Sequence, residues 1–325
     1  MKHRALTAGV ALALTAAATT PALAGSTGTP GSTGTPGSTG TSGAAHGAAP
    51  LSAPVSGAVY FRHGGGGIEV LAHRGGRTSR LKAGGGAFAG QFAVAPGGRR
   101  VAWIDDRNRL RVTPASGSGP DKVIARNAAY GGPCLTPAWT ADGRRIAYPV
   151  KGTAGTTAVA VVGADGRGRS DAGRTLGVCH LTWSADGRTL AGYTGDTNGV
   201  HLLDTRSRTS KHVPGVKRAG HVESLSPDAR RVVINAIGAD APGGDGSWPL
   251  SFTPSIRDTG TGAKIAVPVR GRLLGARYLD DGRLAVRVRG TSANTIVILS
   301  RSGREVQRMT EPAGVRNLGL LGVIG

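Results

Sequence analysis

The chain has 325 residues, of which 55 are glycine and 18 proline, and its formal net charge is +21. Its four tryptophans, four phenylalanines and five tyrosines are too few for long stacking platforms, which argues against a groove for single-stranded nucleic acid or glycan. A positive field of this size attracts polyanions, and beyond the first 24 residues no apolar stretch approaches a membrane-spanning length.

The first 24 residues have the features of a secretory signal peptide. Residues 2–4 are Lys-His-Arg, residues 5–20 are apolar and small, and residues 22–24 are Ala-Leu-Ala, a small-x-small cleavage pattern. A membrane anchor is the alternative, although the run is short and rich in alanine and threonine. We expect cleavage here and a secreted protein whose charge falls from +21 to +19 with the loss of Lys2 and Arg4.

Residues 25–54 form a low-complexity segment in which GSTGTP is repeated. Glycine, serine, threonine and proline bury too little apolar surface to offset the entropy of ordering, so we expect a flexible linker. The remaining residues, 55–325, are glycine-rich and lack apolar stretches of helical period. This composition is typical of many short strands joined by turns, and it predicts one all-β domain.

One phrase recurs through residues 55–325. LTPAWTADGRRIAYPV begins at Leu135 and CHLTWSADGRTLAGYT begins at Cys179, and weaker copies follow Gln91, His221 and Ala276. Repeats with a period near 40 residues indicate an array of equivalent structural units. The turns of the five copies lie at Gly97, Asp142, Asp186, Asp228 and Asp281, which are 45, 44, 42 and 53 residues apart.

Each copy predicts four short strands. An apolar strand precedes the turn, a second follows it, and a third and a weaker fourth complete the unit. The Asp-Gly pair predicts a two-residue hairpin, because both residues tolerate positive φ. We therefore interpret the repeated aspartates as turn residues rather than catalytic ones. Four strands in 42–53 residues indicate a β-propeller blade.

The two ends of the domain predict one further blade. AVYFRH, from Ala58, resembles a second strand without a first, and the final VRNLGLLGVIG resembles a first strand with nothing after it. Pairing of these strands would close a ring of six four-stranded antiparallel blades and leave no long open edge. An open arc of five blades with a stray strand is the alternative.

The turn phrases WSADGR, WTADGR and LSPDAR resemble the Trp-Ser-Pro-Asp-Gly phrase of TolB-like propeller repeats, which are relatives of the WD-repeat propellers. The resemblance covers the chain from Ala58 to its end, apart from one insertion. It implies a propeller fold. It also implies a range of functions, since such blades occur in periplasmic scaffolds, in peptidase gating domains and in some lyases.

Cys134 and Cys179 are the only cysteines, and each stands at the start of a predicted first strand. In adjacent blades such positions are neighbours at the same rim, and an even cysteine count in a secreted chain favours a disulfide. We predict a Cys134–Cys179 bridge, with two buried free thiols as the alternative.

The beginnings of the first strands line the mouth of a propeller. We predict Gln91, His180, His221 and Glu223 as partner-binding residues there. The two histidines and the glutamate come from only two blades and match no close-spaced ligand motif, so we predict neither a metal site nor a cofactor.

An insertion, residues 238–252, lengthens the fourth repeat. Long loops on a rigid scaffold often carry function, and an exposed tryptophan is favoured at binding hot spots, so we predict that Trp248 binds the partner. The alternative is a tolerated insertion with Trp248 folded onto the side of the blade.

These features predict a secreted, monomeric, non-enzymatic propeller that binds an envelope protein or an anionic wall polymer, without specific nucleic-acid binding. No Gly-x-Ser-x-Gly, His-Glu-x-x-His or P-loop sequence is present. The alternative is a polysaccharide lyase or hydrolase that uses His180 and His221 in the funnel.

Overall fold

The computed structural model describes residues 53–64, 67–81, 90–114, 120–152, 157–241 and 246–325. The predicted signal peptide and nearly all of the predicted linker lie outside these residues. The described residues form 24 strands in six four-stranded antiparallel sheets, arranged as the blades of a propeller. The predicted all-β, six-bladed fold is confirmed.

The strands are numbered in chain order. They are β1 (Gly57–Gly64), β2 (Gly67–Arg74), β3 (Arg77–Leu81), β4 (Phe92–Val94), β5 (Arg100–Ile104), β6 (Arg109–Pro114), β7 (Lys122–Arg126), β8 (Ala138–Trp139), β9 (Arg145–Pro149), β10 (Thr157–Gly163), β11 (Ser170–Thr175), β12 (Gly177–Trp183), β13 (Thr189–Thr194), β14 (Val200–Asp204), β15 (Thr209–His212), β16 (Ala219–Leu225), β17 (Arg231–Ala236), β18 (Ser255–Asp258), β19 (Lys264–Ile265), β20 (Leu273–Tyr278), β21 (Leu284–Val288), β22 (Thr295–Leu299), β23 (Glu305–Thr310) and β24 (Gly319–Ile324).

Blades 1 to 5 each consist of four consecutive strands, from β4–β7 to β20–β23. The first strands of neighbouring blades, such as β12 and β16, contact one another and so line the axial channel. The hairpin turns after the first strands lie on one face, the turn face. The first strands begin at the opposite face, the start face.

The sixth blade joins the two ends of the domain. Its strands stand in the order β24-β1-β2-β3, and Gly57 is paired with Ile324. Ser56 adds a backbone hydrogen bond to the Ile324 oxygen at 2.7 Å. The predicted pairing of the terminal strands is therefore confirmed, and the five-blade arc is wrong.

The repeated Asp-Gly turn differs from the predicted two-residue hairpin. In blade 2 the backbone of Thr140 bonds that of Arg145, so the loop has four residues, and only Gly143 of the Asp-Gly pair has positive φ (63°). Asp142 stays in ordinary backbone geometry because its Oδ1 accepts the Thr140 hydroxyl at 2.6 Å and the Arg144 N–H at 3.0 Å. The same 2.6 Å hydroxyl bond joins Ser184 to Asp186 and Ser226 to Asp228.

The repeated tryptophan connects one blade to the previous one. Trp139 donates its Nε1–H to the Ala93 oxygen of blade 1 at 3.0 Å, and Trp183 donates to the Ala138 oxygen of blade 2 at 3.1 Å. Each indole therefore buries its apolar body between two sheets while its polar atom is satisfied. This explains why the tryptophan repeats in these two copies, since both form the same contact with the blade before them.

The arginine that follows the turn makes a second inter-blade contact. The Arg100 guanidinium carbon lies 4.8 Å from the ring centre of Trp139, and Arg100 also donates to the Gly143 oxygen at 2.6 Å. Arg145 lies 5.9 Å from the ring centre of Trp183 in the next blade. Part of the positive charge thus serves the packing of the ring through cation–π contacts.

A buried ion pair fastens blade 5 to the closing blade. Arg287 in β21 is 1% exposed and donates to Glu311 Oε2 at 2.8 Å. The same guanidinium donates to the oxygens of Val315 at 3.1 Å and Leu318 at 2.5 Å, in the segment that leads into β24. Its carbon also lies 5.7 Å from the ring centre of Tyr60 in β1. One side chain therefore holds both strands that close the ring.

We expect Arg287→Met to lower the free energy of unfolding by about 3–5 kcal/mol, because it leaves the Glu311 carboxylate buried without its cation. Urea denaturation monitored by circular dichroism measures this change. The matched control is Arg308→Met, whose partner Glu305 and own side chain are both largely exposed, and which should change little. Equal effects of the two substitutions would contradict the closure role of Arg287.

Candidate functional site

The predicted disulfide is present at the start face. Cys134 and Cys179 are bonded, with their Cα atoms 4.6 Å apart, within the range that a disulfide requires. The bridge joins the segment before β8 to β12, and the Cys134 oxygen accepts the His180 N–H at 2.8 Å. It therefore fixes the backbone beside one of the candidate site residues.

Reduction should add the mass of two hydrogens to the protein, and the Cys134→Ala/Cys179→Ala variant should show no such gain. Because the bridge spans a sequence separation of 45 residues, the chain-entropy relation gives it up to about 4 kcal/mol of stability. We expect the double variant to lose about 2–4 kcal/mol in urea denaturation. An unchanged mass on reduction of the wild type would contradict the bridge.

Four side chains form a hydrogen-bonded chain in the axial channel. His180 Nδ1 lies 2.6 Å from His221 Nδ1, and His221 Nε2 lies 2.7 Å from Glu223 Oε2. Glu223 Oε1 accepts from Arg277 Nε at 2.8 Å. Both histidines are fully buried and Glu223 is 6% exposed. These residues lie on first strands, as predicted, but within β12 and β16 instead of at their beginnings, and they are buried instead of forming an open rim.

Irregular backbone brings the two rings together. His180 has a φ of 49°, which is uncommon for a residue other than glycine. The pairing of β12 with β13 shifts register before and after Cys179. The pairing of β16 with β17 shifts register before His221 and again after Val222. Such bulges re-aim side chains, so His180 and His221 point into the channel rather than alternating across a regular sheet.

The chemistry of the donors assigns the protons. A carboxylate can only accept, so the proton between His221 and Glu223 lies on His221 Nε2. In neutral His221 the Nδ1 atom is then an acceptor, and the proton between the rings lies on His180 Nδ1. The remaining ring nitrogen, His180 Nε2, is buried and makes no well-formed hydrogen bond.

Burial and charge shift two of these groups in the same direction. Burial, and then the His221 ring, lowers the pKa of His180 well below its ordinary value, although the Gly246 backbone partly opposes this. Burial raises the pKa of Glu223, but the charge of Arg277 and the hydrogen bond from His221 outweigh it, so the pKa is lowered. The closed site therefore favours neutral His180 and ionised Glu223.

Trp248 closes the channel from within. Its ring is stacked on His180, with centres 4.7 Å apart and planes at 25°, and it meets the edge of His221 at 5.0 Å. Phe92 lies 6.3 Å away, and His63 Nε2 approaches the Trp248 backbone oxygen at 3.2 Å. Trp248 is only 9% exposed. The predicted exposed anchor is therefore wrong, and so is the alternative on the side of the blade, because the insertion enters the channel.

Gln91 lies apart from this group and serves the backbone. Its side-chain nitrogen donates to the oxygens of Ala129 at 2.7 Å and Leu135 at 2.9 Å, and its oxygen accepts from Gly131 N at 2.9 Å. At 2% exposure it holds the loop between blades 1 and 2. Its predicted placement on an open rim is wrong, because these three bonds use it inside the protein.

A funnel of about 360 Å³ opens on the turn face. All six blades contribute to its wall, and Trp248, Glu223 and Arg277 lie at its closed end. Among its charged residues, Glu223 is paired with Arg277 at 2.8 Å and Asp281 with Arg283 at 2.7 Å. The apolar wall residues include Val94, Leu181, Leu225, Leu321 and Val323.

The described residues contain no group of three or more His, Cys, Asp or Glu side chains arranged to hold a metal ion. The geometry explains this for the buried chain, because His221 uses its two nitrogens on opposite sides and the donors do not converge on one point. No helix in the described part of the chain is long and apolar enough to span a membrane.

The sequence matches no protein-family model and no curated protein. Among solved structures, TolB from Acinetobacter baumannii is similar with a TM-score of 0.50 and 12% identity, over 82% of this chain and 65% of that chain. The fold is that of a TolB-like propeller.

A TolB protein from Agrobacterium tumefaciens matches with a TM-score of 0.48 and 11% identity, over 79% of this chain and 89% of that chain. A nidogen/laminin complex structure matches with a TM-score of 0.48 and 11% identity, over 81% and 97% of the respective chains. The match spans 65% of the length of the Acinetobacter protein. At these identities the similarity concerns the fold alone.

Sequence reasoning missed Arg277, and it placed the funnel at the beginnings of the first strands, whereas the observed funnel opens on the turn face. Arg277 stands in ARYLDDGR, where an arginine in a strand carries no distinguishing pattern. Its partner Glu223 is 54 residues away and meets it only because β16 and β20 are first strands of adjacent blades. A weak signal did exist, since Arg277 occupies a position in the fifth copy that is alanine, threonine or serine in the other copies.

Proposed function

We propose that this chain is an extracytoplasmic, non-enzymatic scaffold that binds a protein partner by taking an apolar segment of it into the funnel on the turn face. The observation that carries the proposal is the funnel itself, an open concavity on the axis with a wall from all six blades and a tryptophan at its closed end. Concave, mostly apolar sites with a few fixed polar groups are the usual form of a binding site.

The charges of the funnel favour a protein segment over an anionic polymer. Its two arginines, Arg277 and Arg283, are already paired with carboxylates, and Asp280 at the rim adds a further negative charge. A polyanion would meet no surplus of positive charge there. An apolar segment would replace water on the wall, and each buried Å² of apolar surface contributes about 25 cal/mol.

Part of the positive charge, eight lysine and arginine side chains, lies on the described outermost strands of the blades, away from the funnel. Lysine and arginine on edge strands oppose pairing with a second sheet, so the charge has a protective role at each blade edge. The described outermost strands all carry such residues: Arg77 and Arg80 in β3, Lys122 and Arg126 in β7, Arg174 in β11, Lys211 in β15, Lys264 in β19 and Arg308 in β23. An anionic wall polymer bound to this circumference is the second candidate.

Two observations support an extracytoplasmic location and a non-enzymatic role. The Cys134–Cys179 bridge suits an oxidising compartment, because disulfides are rare where thiols are kept reduced. His180 and His221, which the lyase reading would use, are fully buried beneath Trp248 and do not face the funnel solvent. An enzyme that used these histidines in the funnel would need its substrate to reach them.

Blocking the funnel tests the proposal. Ala185 is half-buried in its wall, and Ala185→Trp would fill the space that a partner segment occupies. We expect this variant to lose at least tenfold in affinity for cell-envelope protein in sedimentation and pull-down assays. The matched control is Ala236→Trp, at an exposed position at the end of β17, on the start face, which should bind normally.

The salt dependence of the same assays separates the candidates. Binding through the apolar funnel should persist from 50 to 500 mM salt, whereas binding to an anionic polymer falls steeply as charges are screened. Salt-sensitive binding to wall material that Ala185→Trp leaves unchanged would overturn the protein-partner proposal in favour of the polymer. Turnover of a polysaccharide that His180→Ala abolishes would overturn the non-enzymatic role.

A further inference from the structure

The insertion of blade 4 is held in the axial channel mainly by aromatic packing. Trp248 contacts His180, His221 and Phe92 through its ring, and its own Nε1–H is buried without a hydrogen-bond partner. An unsatisfied buried donor opposes the closed position, since the indole regains a hydrogen bond when it reaches water. The closed position therefore depends on the state of the two rings beneath it.

Those two rings can share only one proton. The 2.6 Å separation of His180 Nδ1 from His221 Nδ1 is that of a hydrogen bond, which needs one N–H and one lone pair. If both Nδ1 atoms carry protons, two donors face each other and the bond is lost. If the pair takes up the extra proton and keeps that bond, one of the two rings becomes an imidazolium at a fully buried position.

No unpaired anion is available to balance that extra charge. The charged and titratable side chains facing the pair and Trp248 are Glu223, Arg277, Tyr193 and His63. Glu223 is the one carboxylate among them, and its two oxygens are already used by His221 and Arg277. The Gly246 backbone offers the only nearby compensation to His180 within the described residues.

The stacked tryptophan does not compensate for it either. A cation over an indole face gains less free energy than an ion loses when it leaves water without a partner. The lower-energy response to a second proton is to admit water to His180, and Trp248 is the group that covers it.

We propose that the His180–His221 pair is a pH-sensitive latch, which holds Trp248 in the axial channel at neutral pH and releases it on acidification. Release removes the closed end of the funnel and turns it into a passage between the two faces. The inference rests on the packing of the insertion and is independent of which partner the funnel binds.

The sign of the effect follows from the neutral state that the closed site favours. Closure favours neutral His180. A solvated histidine has an ordinary pKa of about 6.5. The closed position is therefore fully stable above about pH 6.5 and loses stability as the pH falls below it. One proton taken up on opening raises the opening equilibrium by up to about tenfold for each pH unit.

Hydrogen exchange measured by mass spectrometry tests the latch on the purified protein. We expect peptides spanning residues 246–252 to lose protection by up to about tenfold per pH unit between pH 6.5 and 5.0, after correction for intrinsic exchange. Peptides from β21 and β22 should keep theirs, which shows that the ring stays closed. Constant protection of residues 246–252 over this range would overturn the proposal.

Two substitutions assign the effect to the pair. His180→Asn does not titrate, and asparagine tolerates the positive φ of this position, so the pH dependence should disappear. His63→Asn removes the histidine that contacts Trp248 from outside the pair and should preserve the pH dependence. An unchanged slope in His180→Asn, or a slope lost in His63→Asn instead, would overturn the assignment.

A measurement on the unaltered histidines covers the case in which His180→Asn does not fold. The difference in acrylamide quenching between the wild type and Trp248→Phe isolates the fluorescence of Trp248. We expect this part of the fluorescence to become quenchable as the pH falls from 6.5 to 5.0. Trp248 fluorescence that stays protected at pH 5.0 would overturn the release.

Discussion

Closure of the ring is the constraint on which the rest of this structure depends. Six twisted sheets can share an axis only if the last strand returns to the first blade, and here β24 pairs with β1 while Arg287 holds both strands through buried contacts. Once the ring is closed, the first strands of all blades face one another. The axial channel, the funnel and the burial of the histidines all follow from that arrangement.

A closed ring leaves a channel that must be filled with water or with side chains. This chain fills it with Trp248, delivered by an insertion between β17 and β18. The tryptophan divides the channel into a funnel on the turn face and a buried polar chain toward the start face. The same side chain thus forms the closed end of the funnel and covers two histidines. A change in the histidines that moves Trp248 therefore also changes the funnel.

The blades could be predicted from the sequence because their determinants are local. The Trp-x-x-Asp-Gly phrase encodes a strand, a turn and an inter-blade contact within a few residues. The fourth strand of blade 2, β11, was expected only from the repeat, since its own sequence, Ser-Asp-Ala-Gly-Arg-Thr, lacks an apolar alternation. It forms because its backbone pairs with β10, a stable strand already in place.

The candidate site was predictable only in part. Positions at the beginnings of first strands placed His180 and His221 in neighbouring blades, and the disulfide followed from the same register. The two histidines are buried because the insertion places Trp248 over them in the channel. No local sequence pattern indicates that the insertion enters the channel. Long-range ion pairs, such as Glu223 with Arg277, were likewise invisible, because each partner has an ordinary sequence context.

The central claim is that the funnel is where a protein partner binds, and photo-crosslinking from inside it tests this most directly. A benzoylphenylalanine at Thr182, half-buried in the funnel wall, would be compared with one at Ala236 on the start face, in the presence of cell envelope at high salt. The account predicts a discrete protein adduct from Thr182 that is absent from Ala236. Adducts from Ala236 alone, or no protein adduct from Thr182, would contradict it.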